Sequence, residues 1–174
     1  MLSLSALAGW ESAVLASIAG ATGTIEERDR QIERSGMYAE YPAIVRAYGE
    51  LAGEPMSALE AIKRSVFLAW RSAVELPVVT GIAPLSDDTM QAVVDWAVRH
   101  VMKSPVDAEL KWMVAWYHGQ SRELFALYGA RREFLEMVEA VDTEAWRRAG
   151  IVPADMRGRG QMGHYWAAKA TGAL

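Results

Sequence analysis

Hydrophobic residues recur along the chain at intervals of three and four positions, and no segment alternates convincingly with a period of two. This interval corresponds to one face of an α-helix. The clearest stripes predict helices over about residues 57–75, 87–103 and 105–128, with a short amphipathic helix near the N-terminus. The β-branched segment 78–80 lies between prolines and is too short for a sheet, so we predict a buried loop there. The pattern as a whole predicts an all-α protein.

Residues that favour helix starts precede these stripes. Thr24 and Ser57 are each followed three positions later by Glu, which is the capping-box pattern, and Ser86 precedes two acidic residues. Ser104-Pro105 predicts the start of another helix, because proline suits a first turn in which no N–H donor is needed. Gly119 predicts a kink within that helix.

The length of 174 residues suits one domain with one core. We predict a single all-helical domain over residues 1–174, formed by an irregular bundle of about six to eight helices. It comprises N-terminal helices in 1–54, a central helical core in 55–142, and a basic segment with a helix in 143–174. The pentapeptides VFLAW and WMVAW lie 46 positions apart, which leaves a short HEAT-like stack of helix pairs as the alternative.

The composition is that of an ordinary globular protein, with 52% hydrophobic and 23% charged residues. Cysteine is absent, which excludes disulfides and thiolate metal sites and fits a reducing cytoplasm. No stretch approaches the roughly 18 apolar residues of a membrane span, and the apolar N-terminal segment lacks the basic start of a signal peptide. We therefore expect a soluble, cytoplasmic protein.

The hexapeptide GRGQMG, residues 158–163, matches the G-x-G-x-x-G fingerprint of dinucleotide-binding proteins. That fingerprint requires a preceding strand and an acidic residue about twenty positions downstream. Here a polar segment with a proline precedes the glycines, and eleven residues follow Gly163. The sequence therefore argues against a dinucleotide site and predicts a flexible linker into a C-terminal helix.

Residues 144–174 hold five basic and two acidic residues on a chain with a net charge of −4. This segment is a candidate contact for a protein partner or an anion, through Arg157, Arg159, His164 and Trp166. The alternative is that its helix docks the aromatic residues on the body of the protein. Two arginines on an acidic chain are a poor electrostatic footprint for nucleic acid, so we expect no nucleic-acid partner.

A second candidate contact lies on the predicted helix 87–103. Trp96 lies off the Val/Met stripe of this helix and close to Arg99. Tryptophan and arginine are enriched where protein partners dock. We predict a Trp96/Arg99 partner surface, and the alternative is that Trp96 packs beneath another helix.

A third candidate lies in the aromatic segment of the predicted helix 105–128. Trp112 and Trp116 are four positions apart and share a face, Tyr117 lies on another face, and His118 follows. These residues either line an aromatic pocket for a small ligand or form a plain aromatic core with His118 hydrogen-bonded to a neighbour.

Signals for catalysis are weak. The three histidines are far apart, no two ligands are spaced for one helix face, and neither a G-x-S-x-G motif nor a P-loop occurs. We predict no catalytic residue, no metal site and no cofactor. The predicted function is a non-catalytic interaction or adaptor module that binds another protein or associates with itself. The alternatives are a helical small-ligand-binding domain and an enzyme whose site is assembled across helices.

Overall fold

The computed structural model describes residues 2–173, apart from the side chains of residues 146–149. This part of the chain forms a helical bundle without strands, which confirms the predicted all-α class. No helix within it is both long enough and apolar enough to span a membrane. Its eleven α-helices are α1 (Leu4–Ala19), α2 (Ile25–Arg34), α3 (Glu40–Leu51), α4 (Ala58–Val74), α5 (Pro77–Thr80), α6 (Asp87–Val101), α7 (Ala108–Gln120), α8 (Arg122–Leu127), α9 (Arg132–Glu139), α10 (Thr143–Gly150) and α11 (Gly160–Thr171).

Side-chain caps begin α2 and α6 as the sequence predicts. The N–H of Glu27 donates to the hydroxyl of Thr24, and the N–H of Thr24 donates to the carboxylate of Glu27. This reciprocal pair satisfies two donors that the helix itself leaves unpaired. The hydroxyl of Ser86 likewise accepts a hydrogen bond from the N–H of Thr89 in the first turn of α6.

Two other predicted helix starts are wrong in detail. Ser57 forms no capping box, because the carboxylate of Glu60 binds two arginine side chains instead. The next predicted start, at Pro105, falls three residues too early. α7 begins at Ala108, where the side chain of Asp107 caps the first turn.

Two segments differ from the predicted secondary structure. The predicted helix 105–128 is divided into α7 and α8, and the break is at Ser121, whose φ of −148° and ψ of 82° leave the helical region, rather than at Gly119. The predicted buried loop is the single-turn helix α5, which Pro77 begins. Val78 and Thr80 of this turn are buried, as predicted, whereas Val79 is 55% exposed.

Helix α4 lies at the centre of the bundle and contacts α3, α6, α7 and α11. Its residues from Ala61 to Trp70 are all buried, so neighbouring helices surround it on every side. A helix at a protein surface normally keeps one polar face in solvent. α4 instead buries the cationic side chains of Lys63 and Arg64, and this burial determines the polar contacts around it.

Candidate functional site

The two buried cations of α4 are paired with carboxylates. Leaving either charge buried without a partner would cost several kcal/mol. The Nζ atom of Lys63 lies 2.9 Å from Asp107 and 2.5 Å from Glu109, at the start of α7. Arg64 donates to Glu60, one turn earlier in α4, at 2.8 Å, and to a backbone carbonyl in α1 at 2.9 Å. These pairs join α4 to α1 and α7.

Arg159, which directly precedes α11, completes this ion-pair cluster. Its guanidinium donates to Glu60 at 2.7 and 2.5 Å and to Glu109 at 2.6 and 3.1 Å, and 11% of the side chain is exposed. Burial alone would lower the pKa of Arg159, but the two carboxylates more than offset it and raise the pKa. Burial would raise the pKa of Glu109, but Arg159 and Lys63 together lower it. Arg159 thus ties the start of α11 to α4 and α7.

Glu11 of α1 is another buried charged side chain and is 1% exposed. One carboxylate oxygen accepts from the hydroxyl of Tyr48 at 2.5 Å, and the other accepts from the backbone N–H of Gln161 at 2.8 Å. Arg64 lies 3.4 Å from the hydroxyl of Tyr48, which connects Glu11 to the ion-pair cluster. Burial raises the pKa of Glu11, although both hydrogen bonds and Arg64 oppose that shift.

The glycines of GRGQMG allow the start of α11 to lie close to Glu11 and Met156. Gly160 has a φ of 61°, and a Cβ atom added there would lie 2.2 Å from Oε1 of Glu11. A Cβ atom at Gly163 would lie 2.0 Å from the carbonyl oxygen of Met156. The glycines therefore permit close approach of the backbone. The first turn of α11 receives an anion, and that anion is the carboxylate of Glu11 in the same chain.

The predicted C-terminal contact residues do not share one surface. Arg157 and His164 are exposed, whereas Arg159 is held by the ion-pair cluster. Trp166 is fully buried, and its indole N–H donates to the hydroxyl of Tyr117 at 3.0 Å. α11 thus packs Trp166 into the core. The predicted flexible linker before this helix is wrong, because Arg159 is held by ion pairs with Glu60 and Glu109.

Three of the predicted ligand-pocket residues belong to an aromatic cluster that α11 completes. Trp112 and Tyr117 are buried, and the ring of Trp166 lies 4.6 Å from that of Trp112 and 5.9 Å from that of Tyr117. Trp116 is half-buried, and its indole N–H donates to the hydroxyl of Tyr165 at 3.3 Å. Side chains of α11 occupy the space beside these aromatic rings.

His118, the fourth predicted pocket residue, contacts a different part of the core. Its ring lies 6.2 Å from that of Phe125, and its Nε2 atom lies 3.3 Å from the carboxylate of Glu139. The Nδ1 atom is buried and has no hydrogen-bond partner among the described residues. The structure therefore does not bring His118 to one cavity with Trp112, Trp116 and Tyr117.

Two clefts flank α6 and separate the two residues of the predicted Trp96/Arg99 surface. One cleft, of about 800 Å³, is lined by Asp95, Val98, Arg99, Met102, Gly129, Arg131, Glu133 and Phe134. The other, of about 770 Å³, lies between α3 and α6, and we call it the Trp96 groove. The Trp96 groove is lined by Pro42, Val45, Arg46, Gly49, Glu50, Pro84, Ser86, Asp88, Thr89, Ala92 and Trp96.

Trp96 is half-buried because its ring lies against Gly49 of α3. A Cβ atom at Gly49 would lie 2.7 Å from the ring, so glycine allows this close approach. Arg46, Glu50 and Asp88 line the same groove and form no ion pair within the described part of the chain. The groove therefore combines an aromatic wall with unpaired charges.

Sequence reasoning missed a third cleft, of about 380 Å³, which we call the Arg71 cleft. It is lined by Leu15, Phe67, Arg71, Glu75, Val79, Gln161, His164, Tyr165, Ala168 and Ala173. The i, i+4 pair of Arg71 and Glu75 is visible in the sequence, but such pairs usually lie on a plain solvent-exposed face. The sequence gives no signal that residues of α11 lie opposite Arg71.

The carboxylates of Glu60 and Glu109 are paired with the cations of α4 and with Arg159, and the carboxylate of Glu11 accepts hydrogen bonds from Tyr48 and Gln161. Across residues 2–173, no group of three or more His, Asp or Glu side chains is arranged to hold a metal ion. The buried network therefore fastens helices together, and the open clefts are the places where another molecule has access. Comparison with protein-family models, with curated proteins and with solved structures finds no match to this chain.

Proposed function

We propose that this protein is an interaction module whose binding site is the Trp96 groove. Its partner is a protein segment that carries a basic side chain beside an apolar one. The observation that carries this proposal is that the indole of Trp96 and the unpaired carboxylates of Glu50 and Asp88 line one groove.

The apolar wall of the groove supplies the binding energy. Proline, valine and alanine side chains surround Trp96, and the volume of about 770 Å³ is sufficient for two or three side chains of a partner. Tryptophan is the residue type most enriched among those that dominate binding. Because the ring already lies against Gly49, little side-chain entropy is lost when a partner binds.

The charges of the groove select the partner. Glu50 and Asp88 contribute two negative charges against one positive charge from Arg46. A lysine or arginine of the partner can pair with these carboxylates and can lie over the face of Trp96 in a cation–π contact. Exposed charges are screened by salt, so affinity should decrease as the ionic strength rises.

We place this binding activity in the cytoplasm, and we assign no catalytic residue to the protein. The absence of cysteine supports a reducing compartment. The paired state of the buried carboxylates supports a structural rather than a catalytic role for them.

The test is selection of random dodecapeptides, displayed on phage, against the immobilised full chain. We expect enriched peptides with Lys or Arg within a few positions of an aromatic or aliphatic residue. Trp96→Ala should weaken their binding at least about thirtyfold, since truncation of a tryptophan that dominates an interface costs about 2 kcal/mol or more. A double variant, Glu50→Lys with Asp88→Lys, reverses the charge of two exposed side chains of the groove. It should also abolish binding.

Leu127→Ala is the matched control, because Leu127 is a 74% exposed apolar residue outside the Trp96 groove. It should bind the selected peptides as the wild type does. Failure to enrich any peptide, or equal binding by wild type and Trp96→Ala, would refute the proposal. A dimer in sedimentation that Trp96→Ala dissociates would also overturn it, because the occupant would then be a second copy of this chain.

A further inference from the structure

Arg71 lies in the wall of the Arg71 cleft with part of its hydrogen-bonding capacity unused. The guanidinium lies 5.5 Å from the ring centre of Tyr165 and 5.9 Å from that of Phe67. One terminal nitrogen pairs with Glu75 at 2.8 Å, but Nε is buried and has no hydrogen-bond partner in the described part of the chain. Guanidinium offers five N–H donors, so the single contact with Glu75 leaves the N–H groups of the other terminal nitrogen, which unlike Nε is not buried, for an additional anion.

The opposite wall comes from α11 and adds two polar groups. His164 is exposed and forms no hydrogen bond or ion pair with the described residues. Gln161 donates its side-chain nitrogen to the hydroxyl of Tyr41 and the carbonyl of Thr80. Both side-chain N–H groups of Gln161 are therefore used within the protein, and His164 is the group of this pair that can donate a hydrogen bond to an anion in the cleft.

The remaining wall is apolar. Leu15 and Val79 line the cleft together with the ring of Phe67. Its volume of about 380 Å³ lies at the lower end of the range for small-molecule sites, which are mostly apolar with a few polar groups that fix orientation. A short apolar group would fit this wall, with a charged group directed at Arg71.

We propose that the Arg71 cleft binds a small organic monocarboxylate. Its apolar body packs against Leu15, Val79 and Phe67. Its carboxylate pairs with Arg71, which it shares with Glu75 of the same cleft, and accepts a hydrogen bond from His164. The geometry of guanidinium suits a carboxylate because two parallel N–H donors can bind its two oxygens. The cleft shares no residue with the Trp96 groove, so this proposal and the proposed interaction function can fail independently.

The test is an NMR titration of the ¹⁵N-labelled full chain at constant pH and ionic strength. The probes are acetate, butanoate, hexanoate, benzoate and phenylacetate, each compared with its neutral amide. We expect at least one of the larger carboxylates to bind saturably with a Kd below about 10 mM and to shift the backbone signals of Val79 and residues 161–168. Its amide should bind at least about tenfold more weakly, because it lacks the charge that Arg71 recognises.

Val79→Glu places a negative charge on the cleft wall at an exposed position, so it should weaken carboxylate binding about tenfold or more without disturbing the core. Val74→Glu is the control, because Val74 is also partly exposed but does not line the cleft. Arg71→Met should remove the preference for acid over amide. The proposal is overturned if no carboxylate binds saturably, if acids and amides bind equally, or if Val79→Glu binds as the wild type does.

Discussion

The carboxylate of Glu11 accepts a hydrogen bond of 2.8 Å from the backbone N–H of Gln161, 150 positions later in the chain. This contact joins α1 to the first turn of α11. Since Glu11 is buried, its charge depends on Gln161 and on the hydroxyl of Tyr48 for hydrogen bonds that water would otherwise supply. The stability of the bundle should therefore respond strongly to small changes at either end of this contact.

Gly160→Ala should destabilise the protein much more than Gly158→Ala. Both glycines have positive φ, 61° and 72°, so a side chain at either position costs about 1–2 kcal/mol of backbone strain. At Gly160 the new Cβ atom would also lie 2.2 Å from the carboxylate of Glu11, whereas nothing lies within 4 Å at Gly158. Displacing that carboxylate from its hydrogen bonds should add about 1.5–3 kcal/mol.

Urea unfolding of the two glycine variants measures this difference. The loss of unfolded-state entropy on replacing glycine by alanine is nearly the same at both positions and cancels in the comparison. Equal losses of unfolding free energy in Gly158→Ala and Gly160→Ala would mean that the contact between Glu11 and α11 does not contribute to stability.

Replacement of Arg159 should destabilise the protein, because its guanidinium pairs with two carboxylates. Arg159→Lys supplies a single ammonium group that cannot bind Glu60 and Glu109 bidentately, and it should cost about 1–3 kcal/mol. Arg159→Met leaves both carboxylates short of a cation and should cost about 2–4 kcal/mol, because Arg64 and Lys63 still pair with them.

Arg132→Met is the control for the Arg159 variants. Arg132 pairs with Glu136 at 2.6 Å, but both side chains are largely exposed, so the pair should contribute no measurable stability. In thermal and urea unfolding, Arg159→Met should therefore be less stable than Arg159→Lys, and Arg132→Met should be as stable as the wild type. A loss for Arg132→Met as large as that for Arg159→Lys would contradict this interpretation of the buried cluster.

Glu11 should make the protein more stable as the pH falls from neutrality. Its pKa in the folded state is raised above the ordinary value of 4.5, so the folded protein binds this proton more tightly than the unfolded chain does. The resulting gain in stability grows as the pH falls through the folded-state pKa, is complete below about 4.5, and stays constant at lower pH. Glu109 has the opposite shift, and its contribution is lost only as the pH falls below the same value.

Glu11→Gln removes the first of these two titrations. The unfolding free energy of the wild type should increase relative to that of Glu11→Gln as the pH is lowered from 7 towards 4.5. Urea unfolding at several pH values measures this change. Glu54→Gln, at an exposed position, should run parallel to the wild type. A pH-independent difference for Glu11→Gln would show that the proton affinity of Glu11 does not change on folding.

The long helices could be predicted because their apolar stripes and caps are local signals. α4 and α6 lie within two residues of their predicted ends. The break at Ser121 could not be predicted because neither proline nor glycine stands at the residue that leaves the helical region, and Pro77, which begins α5, suits a loop as well as a first helical turn. Lys63 looks like a solvent-facing residue in the sequence, and its burial depends on Asp107 and Glu109 at the start of α7, whereas Arg64 pairs with Glu60 of its own helix.

The candidate sites were predictable only in part. Trp96 is conspicuous because it lies off its helix stripe, but the opposite wall of its groove comes from α3 and has no signature in the sequence. Arg159 resembles a free basic residue beside glycine. Its partners Glu60 and Glu109 lie 99 and 50 positions away, and no periodic pattern connects residues at such separations.

The contact between Glu11 and Gln161 also has a consequence for biosynthesis. At about 5–20 residues per second, a ribosome needs roughly 8–30 seconds to proceed from one of these residues to the other. Throughout that interval the α1 segment lacks the backbone donor that pairs with its carboxylate, and its apolar side lacks α11. The first helix therefore cannot complete its native contacts until almost the whole of the given sequence has been synthesised, so folding of the complete bundle depends on a contact between distant parts of the chain.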